Sequence, residues 1–270
     1  MAALISLQRH RGVATVTFAN PPRGYLNAAQ TEELGAIVAE LAADDAVRVV
    51  IFTGGVPGVF IRHYDVGEIV AAAEGLRAME LDEAALMEMA RGGNAVTRVF
   101  DAIDRMAKPT IAAINGFCQG GGFELALCCD LRIAERGDYR IGLPEVNVGI
   151  FPGAGGTERL PRVIGEARAL ELILRGRTVD PQEALRLGLV HELVGGAALD
   201  RALEIAQELA AKPAGGLRDA KALVKNADDA GLPEALARSG GRFMTLIRND
   251  PEAVEAMRRF LAAGEDINRG

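Results

Sequence analysis

Two acidic residues stand beside glycine-rich turns in stretches that are otherwise apolar. The first, Glu124, follows the three glycines at 120–122 and lies between Phe123 and Leu125. Flexible residues at the start of a helix expose backbone N–H groups that have no acceptor within the helix, and the helix dipole favours negative charge there. A carbonyl oxygen bound to a glycine N–H would be stabilised as charge develops on it, by about 10²–10³ in rate for each donor. Alternatively, Glu124 only complements the helix dipole.

The second acid, Glu145, follows Pro144 in the segment GLPEV. We expect Pro144 at the first position of a helix, with Glu145 in its first turn. A surface acid near a helix start is the alternative interpretation. Because both acids have apolar neighbours, desolvation would raise their pKa values towards neutrality. Two such carboxyl groups could exchange protons with a substrate.

Several other kinds of catalytic site lack their motifs. Serine occurs only at Ser6 and Ser239, neither of which lies in a GxSxG elbow. The histidines at 10, 63 and 191 are scattered, without metal-ligand spacing. The glycine-rich segments lack the GK[ST] ending of a phosphate loop and do not complete GxGxxG. These absences argue against a serine hydrolase, a metal site, nucleotide hydrolysis and dinucleotide redox chemistry.

Composition narrows the class of protein further. The 270 residues are 49% hydrophobic and 25% charged, enough to bury a core without disulfides or a metal. A net charge of −7, 4% aromatic residues and no tryptophan argue against a nucleic-acid partner. Cys118, Cys128 and Cys129 form no CxxC pair, and no apolar run is long enough for a membrane span. The first residues do not resemble a signal peptide. We therefore expect a cytoplasmic protein with no membrane partner.

Strand and helix patterns alternate over the first two thirds of the chain. Alternating apolar residues at 4–7 and 13–18 predict a β-hairpin, and a helix is predicted to begin near Thr31. Continuous apolar runs at 47–53 and 110–114 predict strands covered on both faces. The remaining predicted elements are a helical stretch at 67–106 with a break at Gly92 and Gly93, strands at 131–134 and 189–194, and helices at 123–129, 157–174 and 181–187.

Beyond Gly195 and Gly196 the patterns are helical only, at 198–211, 216–226, 233–248 and 251–263. Apolar residues of the last two helices would pack on the core or against another subunit. They are Leu246, Ile247, Val254, Met257, Phe260 and Leu261. We therefore expect an α/β core at 1–195 and a helical oligomerisation region at 196–270.

Three sequence blocks occur in an order that is typical of one family. The first block has KPTIAAING at 108–116, GGGFELA at 120–126 and CD at 129–130. The second has LPE at 143–145, PGAGGT at 152–157 and LP at 160–161, and the third has ALRLGLVHELV at 184–194. Together these blocks resemble the enoyl-CoA hydratase/isomerase (crotonase) superfamily over about residues 13–195.

The resemblance implies a spiral core of repeated strand-strand-helix units and a C-terminal helical trimerisation region. It implies an acyl-CoA thioester as substrate, with no separate cofactor because coenzyme A is part of that substrate. Gly121 would supply one of two backbone N–H groups that bind the thioester oxygen. Glu124 and Glu145 match the two glutamates of enoyl-CoA hydratases, which add water to the 2,3 double bond. A homotrimer or a dimer of trimers is the implied assembly.

One segment departs from the family pattern. The second oxyanion loop usually ends in small residues, whereas this chain has FIRHYDV at 60–66. A backbone N–H does not depend on its side chain, so Tyr64 could still donate, although its ring would reshape the acyl pocket. His63 and Tyr64 could instead add a general acid or a hydrogen bond, or simply pack at the pocket rim.

The substrate-binding candidates surround these catalytic residues. Arg23 and Arg62 are candidates for the phosphates of coenzyme A, or are solvated surface charges. The full set of substrate-binding candidates is Arg23, Tyr25, Leu26, Arg62, His63, Asp65, Gly120, Pro144 and Gly153. Met79, Met87, Met89 and Met106 could line an acyl pocket or fill the core.

The paired glutamates favour enoyl-CoA hydration as the function. The altered loop at His63 and Tyr64 leaves a double-bond isomerase, a hydrolase or a carbon–carbon bond lyase of the same superfamily open. The alternative from another class is a non-catalytic CoA-binding subunit. Such a subunit would be recognised by loss of the two glutamates, and both Glu124 and Glu145 are present.

Overall fold

Ten strands and twelve α-helices make up the described part of the chain, in a computed structural model that describes residues 4–227 and 231–262. The strands are β1 (Ile5–His10), β2 (Val13–Phe18), β3 (Val49–Gly54), β4 (Val59–Ile61), β5 (Thr110–Ile114), β6 (Phe117–Gln119), β7 (Leu131–Glu135), β8 (Ile141–Gly142), β9 (Thr178–Val179) and β10 (Glu192–Val194). The helices are α1 (Ala28–Ala43), α2 (Val66–Ala78), α3 (Glu83–Arg91), α4 (Ala95–Asp104), α5 (Gly121–Cys128), α6 (Gly156–Ile164), α7 (Glu166–Leu174), α8 (Pro181–Leu187), α9 (Ala198–Ala210), α10 (Ala214–Lys225), α11 (Leu232–Asn249) and α12 (Pro251–Ala262).

Successive strand-strand-helix units build two sheets. The six-stranded sheet has the order β1-β2-β3-β5-β7-β10, parallel except for the antiparallel β1–β2 hairpin. The four-stranded sheet has the order β4-β6-β8-β9, with only the β8–β9 pair antiparallel. In the units β3-β4, β5-β6 and β7-β8 the first strand joins the larger sheet and the second joins the smaller one. The predicted α/β class with repeated strand-strand-helix units is confirmed, whereas trimerisation stays a prediction.

The parallel strands of the larger sheet are buried on both faces, as their continuous apolar runs predict. Val50 and Phe52 of β3 belong to the main core cluster with α1, α4 and α5. Val49 and Ile51 of the same strand pack instead with Ala202 and other small residues of α9. Helix α9 therefore covers one face of the sheet, although it lies beyond the expected boundary at 195–196. The division into two regions stays a prediction.

Several element boundaries differ from the sequence-based expectation. The helix expected near Thr31 begins at Ala28, because the Asn27 side chain accepts a hydrogen bond from Gln30 N and caps it. The single helix expected at 157–174 is wrong: Gly165, with φ of +81°, divides it into α6 and α7. The strand expected at 189–194 is shortened to β10. The smaller sheet was not predicted, since its strands have only two or three residues.

The helices at 198–211, 216–226 and 233–248 are confirmed to within two residues as α9, α10 and α11. The pattern at 251–263 corresponds to α12 up to Ala262, and residue 263 lies outside the described residues. No residue of α2, α3, α11 or α12 within the described chain is buried. The break predicted at Gly92 and Gly93 separates α3 from α4.

Candidate active site

The amino terminus of α5 lies deep in the protein because its glycines allow close backbone contact. All eight residues of α5 are buried. A Cβ atom at Gly122 would overlap the carbonyl oxygen of Ile61 in β4, so a side chain at this position would push the helix off the smaller sheet. Gly120 precedes the helix with φ of +50°, in the left-handed region that favours glycine. The sequence GGG thus positions the first turn of α5 against β4 and the loop that follows it.

That loop leaves the N–H group of Tyr64 beside α5 without an acceptor among the described residues. Leu26 N donates to His63 O at 2.9 Å, and Asp65 N donates to Leu26 O at 2.8 Å, which forms a parallel bridge between Leu26 and Tyr64. In such a bridge the N–H of the middle residue points away from its partner. A Cβ atom at Gly121 would lie 3.5 Å from Tyr64 N. The N–H groups of Gly121 and Tyr64 donate to no residue in the described ranges, so each is available to a bound acceptor.

Glu124 lies one turn into α5 and is held by two backbone N–H groups. Glu124 is buried, with 3% of its surface exposed. Oε1 accepts from Ala154 N at 2.8 Å and from Gly156 N at 2.9 Å. Burial raises the pKa of Glu124, while these hydrogen bonds and the charge of Arg159 oppose that rise. The glycine-rich block at 152–157 therefore orients this carboxylate through its backbone.

Glu145 has a different environment, with fewer groups that stabilise its charge. It begins a 3₁₀ helix, Glu145–Val148, and Pro144 occupies the preceding cap position rather than the first helical position that the sequence predicted. Its Oε2 is buried and accepts no hydrogen bond from the described residues. Burial, followed by repulsion from Glu124, raises the pKa of Glu145 to about 7. The predicted rise towards neutrality is confirmed in direction for both acids.

Glu145 lies beside the first turn of α5. A Cβ atom at Gly120 would lie 3.3 Å from Glu145 Oε1 and 3.4 Å from His63 Cβ. The chain thus brings Gly120, Glu145 and His63 together, next to the paired N–H groups. Because the charge of Glu124 disfavours ionisation of Glu145, the two carboxyl groups titrate as a coupled pair.

The ring of Tyr64 is fixed by a carboxylate on α2. Tyr64 Oη donates to Glu68 Oε2 at 2.7 Å, and the same oxygen accepts from Ala28 N at the start of α1 at 2.8 Å. Burial and the charge of Glu68 raise the pKa of the Tyr64 phenol far above its ordinary value. The ring also forms part of the wall of a cavity of about 580 Å³ between α1 and α4. The Tyr64 phenol is therefore a neutral hydrogen-bond donor.

Some binding candidates stack on one another. The rings of Tyr25 and His63 are stacked with centroids 4.3 Å apart, and Arg23 lies 5.8 Å above the Tyr25 ring. His63 Nδ1 lies 2.6 Å from Tyr64 O, so this nitrogen carries the proton and donates to the carbonyl. The Arg62 guanidinium lies 4.3 Å from the centroid of the Phe117 ring. This stack borders the loop that carries the Tyr64 N–H.

The remaining candidates contribute in other ways. Asp65 accepts from Gly67 N at 2.8 Å and caps α2, and the Leu26 side chain is buried, so its backbone forms the bridge to Tyr64. Gly153 is exposed at the start of the loop that holds Glu124. Of the four methionines considered as acyl-pocket candidates, Met106 is a core residue, whereas Met79, Met87 and Met89 are exposed on or beside α2 and α3.

Sequence reasoning missed the groups that hold Glu124. The N–H groups of Ala154 and Gly156 leave no side-chain signature, although the PGAGGT motif contains them. Arg159 and Asp104 were also missed, because their mutual contact joins residues distant in sequence, and so was Glu68, which has no motif of its own. Within residues 4–227 and 231–262, no cluster of three or more histidine, cysteine or acidic residues could hold a metal ion. In that same part of the chain, no helix is both long and apolar enough to cross a membrane.

Fold and site together define a protein of the crotonase superfamily. The chain belongs to the enoyl-CoA hydratase/isomerase family, whose model matches residues 8–265. The short-chain-enoyl-CoA hydratase of Clostridium acetobutylicum is 32% identical over 259 residues, which cover 95% of this chain and 94% of that protein. The structure of an enoyl-CoA hydratase from Bacillus anthracis is similar with a TM-score of 0.83 at 31% identity, covering 97% of each chain.

Other relatives are much longer proteins. Fatty acid oxidation complex subunit alpha of Idiomarina loihiensis is 38% identical over 207 residues, which cover 76% of this chain but 27% of that protein. The chain thus spans about a quarter of the length of such relatives.

Proposed function

We propose that the protein hydrates a 2-enoyl-CoA thioester to a 3-hydroxyacyl-CoA. The observation that carries this proposal is a pair of glutamates beside the start of α5. Glu124 is buried and held by two backbone donors, whereas Glu145 is half-buried and has an oxygen without a partner among the described residues. The N–H groups of Gly121 and Tyr64, which have no acceptor in the described ranges, lie nearby. Such a site can hold a thioester carbonyl and a water molecule at once. The names of relatives, including short-chain-enoyl-CoA hydratase and crotonyl-CoA hydratase, agree with the proposal.

In the proposed reaction, the N–H groups of Gly121 and Tyr64 donate to the thioester oxygen. Polarisation of the carbonyl makes C3 of the enoyl group electrophilic and stabilises the enolate that forms. Glu124, whose charge the Ala154 and Gly156 N–H groups favour, accepts a proton from water as the C3–O bond forms. Glu145, protonated up to about pH 7, donates a proton to C2. One water is consumed, and the pair returns to its starting charge when one proton passes between the two acids.

The substrate requires no separate cofactor, since coenzyme A is part of it. Arg23 and Arg62 are proposed to contact its phosphates, and Tyr25 and His63 to line the entrance. The backbone of Leu26, together with Asp65, Gly120, Pro144 and Gly153, would shape the walls around the thioester.

The proposal is tested by mass spectrometry of crotonyl-CoA after incubation with the purified protein. We expect the gain of one water with the thioester intact, and no gain with Glu124→Gln. Exposed Glu234→Gln on α11 is the matched control and should keep the wild-type rate. A protein that binds crotonyl-CoA but leaves its mass unchanged would contradict the proposed hydration.

One observation favours a second candidate within the same superfamily. His63 and Tyr64 stand in a loop where the family usually has small residues, and their rings would give an acyl pocket different from that of a short-chain hydratase. A double-bond isomerase, a hydrolase or a carbon–carbon bond lyase would use the same N–H groups. Free CoA among the products identifies a hydrolase, a changed double-bond position identifies an isomerase, and a shortened acyl group identifies a lyase. Binding without turnover identifies a CoA-binding subunit.

We further propose a homotrimer or a dimer of trimers as the assembly. Support comes from α11 and α12, whose apolar residues are unburied within the chain. A cytoplasmic location is proposed because Cys118, Cys128 and Cys129 are free thiols.

A further inference from the structure

A cluster of charged residues lies beside the loop that holds Glu124. Arg159, in the first turn of α6, donates from Nε to Asp104 Oδ2 at 3.0 Å. The Arg159 side chain is 16% exposed. Lys225 Nζ, at the end of α10, donates to the other oxygen of Asp104 at 2.5 Å. Asp104 is thus anchored from two sides, and it in turn holds the guanidinium of Arg159.

The same guanidinium also holds the loop that orients Glu124. Arg159 Nη1 donates to Ala154 O at 3.1 Å, while Ala154 N donates to Glu124 Oε1. Gly155 lies between these groups with φ of +100°, and a Cβ atom there would overlap Arg159 Nη1. Both the backbone conformation and the absence of a side chain at Gly155 are therefore needed for Arg159 to reach the loop.

We propose that Arg159 is a positioning residue for Glu124. The effect of Arg159 on turnover rests on the proposed function, in which Glu124 is catalytic, whereas its effect on the Glu124 carboxyl group does not. Arg159 fixes residues 154–156 so that two N–H groups converge on one carboxylate oxygen, and Asp104 fixes Arg159. The planar guanidinium suits this task, because its separate N–H groups donate to Asp104 and to Ala154 at once.

The charged groups around Glu124 determine what removal of Arg159 would do. Arg159 favours the charged carboxylate, whereas Glu158 on α6 and Glu145 on the 3₁₀ helix disfavour it. Burial already raises the pKa of Glu124. Without the positive charge and the fixed loop, that pKa would rise further.

The test compares Arg159→Gln with Arg162→Gln. Arg162 is exposed on the same helix, so the control removes the same charge from α6 without touching the loop. The first readout is the infrared band of the protonated Glu124 carboxyl, identified by subtraction of the Glu124→Gln spectrum and followed against pH. The second is the pair of kcat and KM for crotonyl-CoA.

We expect the infrared midpoint of Arg159→Gln to move to higher pH by about one pH unit. Its kcat should fall by about 10- to 100-fold, with KM within about threefold of wild type, because the proposed substrate contacts do not include residues 154–156. An unchanged midpoint together with the kcat of Arg162→Gln would overturn the inference. The infrared titration does not require turnover, so it tests the role of Arg159 even if the wild-type protein hydrates no enoyl-CoA. Absence of hydration by the wild type would contradict the proposed function but not the role of Arg159.

Two further variants separate charge from position. Arg159→Lys keeps the charge but cannot donate to both partners in the same geometry. It should restore part of the infrared midpoint shift but not kcat, and full recovery of both would overturn positioning. Asp104→Asn keeps the arginine and weakens its anchor, so it should shift the midpoint less, in the same direction. This variant also replaces Arg159→Gln as the test if that protein does not fold, and an unchanged midpoint and kcat in Asp104→Asn would then overturn the inference.

Discussion

At Glu145, the protein holds a carboxyl group in surroundings that favour its neutral form. Burial and the neighbouring Glu124 together raise its pKa to about 7, whereas Glu124 has two N–H donors and Arg159 to oppose the same effect. Two chemically identical side chains therefore differ in their readiness to hold a proton. This difference is the physical basis for an acid and a base in one site.

The raised pKa of Glu145 predicts a dependence of stability on pH. Its folded-state pKa of about 7 exceeds the ordinary value of 4.5, so the folded protein binds more protons between these values and loses stability as pH rises through them. In Glu145→Gln this contribution is absent. Between pH 5 and pH 8, we expect the free energy of unfolding to fall by about 1–3 kcal/mol less in the variant than in wild type.

Denaturant unfolding at the two pH values measures this difference. Exposed Glu234→Gln is the control and should follow the wild type. Equal pH dependence in Glu145→Gln and wild type would show that Glu145 has an ordinary pKa.

A second prediction at the residue scale concerns the ring of Tyr64. Tyr64→Ala keeps the backbone N–H but removes the ring beside the cavity between α1 and α4. We expect hydration of crotonyl-CoA within about tenfold of wild type, since loss of a donor would cost 10²–10³. The ratio of kcat/KM for a medium-chain enoyl-CoA to that for crotonyl-CoA should rise. Tyr64→Phe, which removes only the hydrogen bond to Glu68, should keep the wild-type ratio. A loss of more than 10³ in Tyr64→Ala alone would assign chemistry to the ring.

The site residues differ in how far the sequence could predict them. Glu124, Glu145 and Gly121 have recognisable types and neighbours, and the structure brings them together with Tyr64. Arg159 could not be predicted, because its anchor Asp104 lies on α4, 55 residues away in sequence, and its other partner is a backbone carbonyl. The groups that hold Glu124 are backbone N–H groups, which nearly every residue has, so the residue types at 154 and 156 do not reveal them.

At the scale of elements, the fit of α5 against β4 positions the whole site. The helix carries Gly121 and Glu124, and β4 leads directly into the loop with Tyr64. Long apolar runs made β3, β5 and β7 predictable, since a buried parallel strand needs a continuous run. The smaller sheet has strands of two or three residues, which are too short for any periodicity to appear. The smaller of the two sheets could therefore not be predicted from hydrophobic patterns.

This fit predicts opposite effects for two glycine-to-alanine changes in helices. Gly122→Ala would place a methyl group against Ile61 O, so we expect a loss of about 1–3 kcal/mol in unfolding free energy and a fall in activity as α5 shifts. Gly75→Ala, in exposed α2 with no atom near its Cβ position, should stabilise the helix by up to about 1 kcal/mol. Thermal and denaturant unfolding check both. Equal effects of the two substitutions would contradict the close packing of α5.

At the scale of the whole molecule, the unburied apolar residues of α11 predict self-association. Phe243 is 61% exposed and Met244 is 64% exposed on this helix. Clusters of exposed apolar side chains are typical of surfaces that bind a partner. Light scattering should give the mass of a trimer or a multiple of it, and Phe243→Asp should lower that mass.

Thr245→Asp, which adds a charge at a polar position of the same helix, is the control and should leave the mass unchanged. A monomeric wild-type protein would contradict the proposed assembly. Sequence patterns could predict the helices beyond residue 196. They could not predict whether these helices pack on the core or on another subunit, because an apolar stripe is compatible with both.

Hydration by the two glutamates is tested by incubating crotonyl-CoA in ¹⁸O-labelled water with the wild-type protein, Glu124→Gln and Glu145→Gln. We expect ¹⁸O on C3 of an intact thioester with wild type, and initial rates lowered by about 10²–10⁴ in both variants, since each removes one proton transfer. Label on C3 at the wild-type rate in both variants, or no label with any of the three proteins, would contradict hydration by the two glutamates.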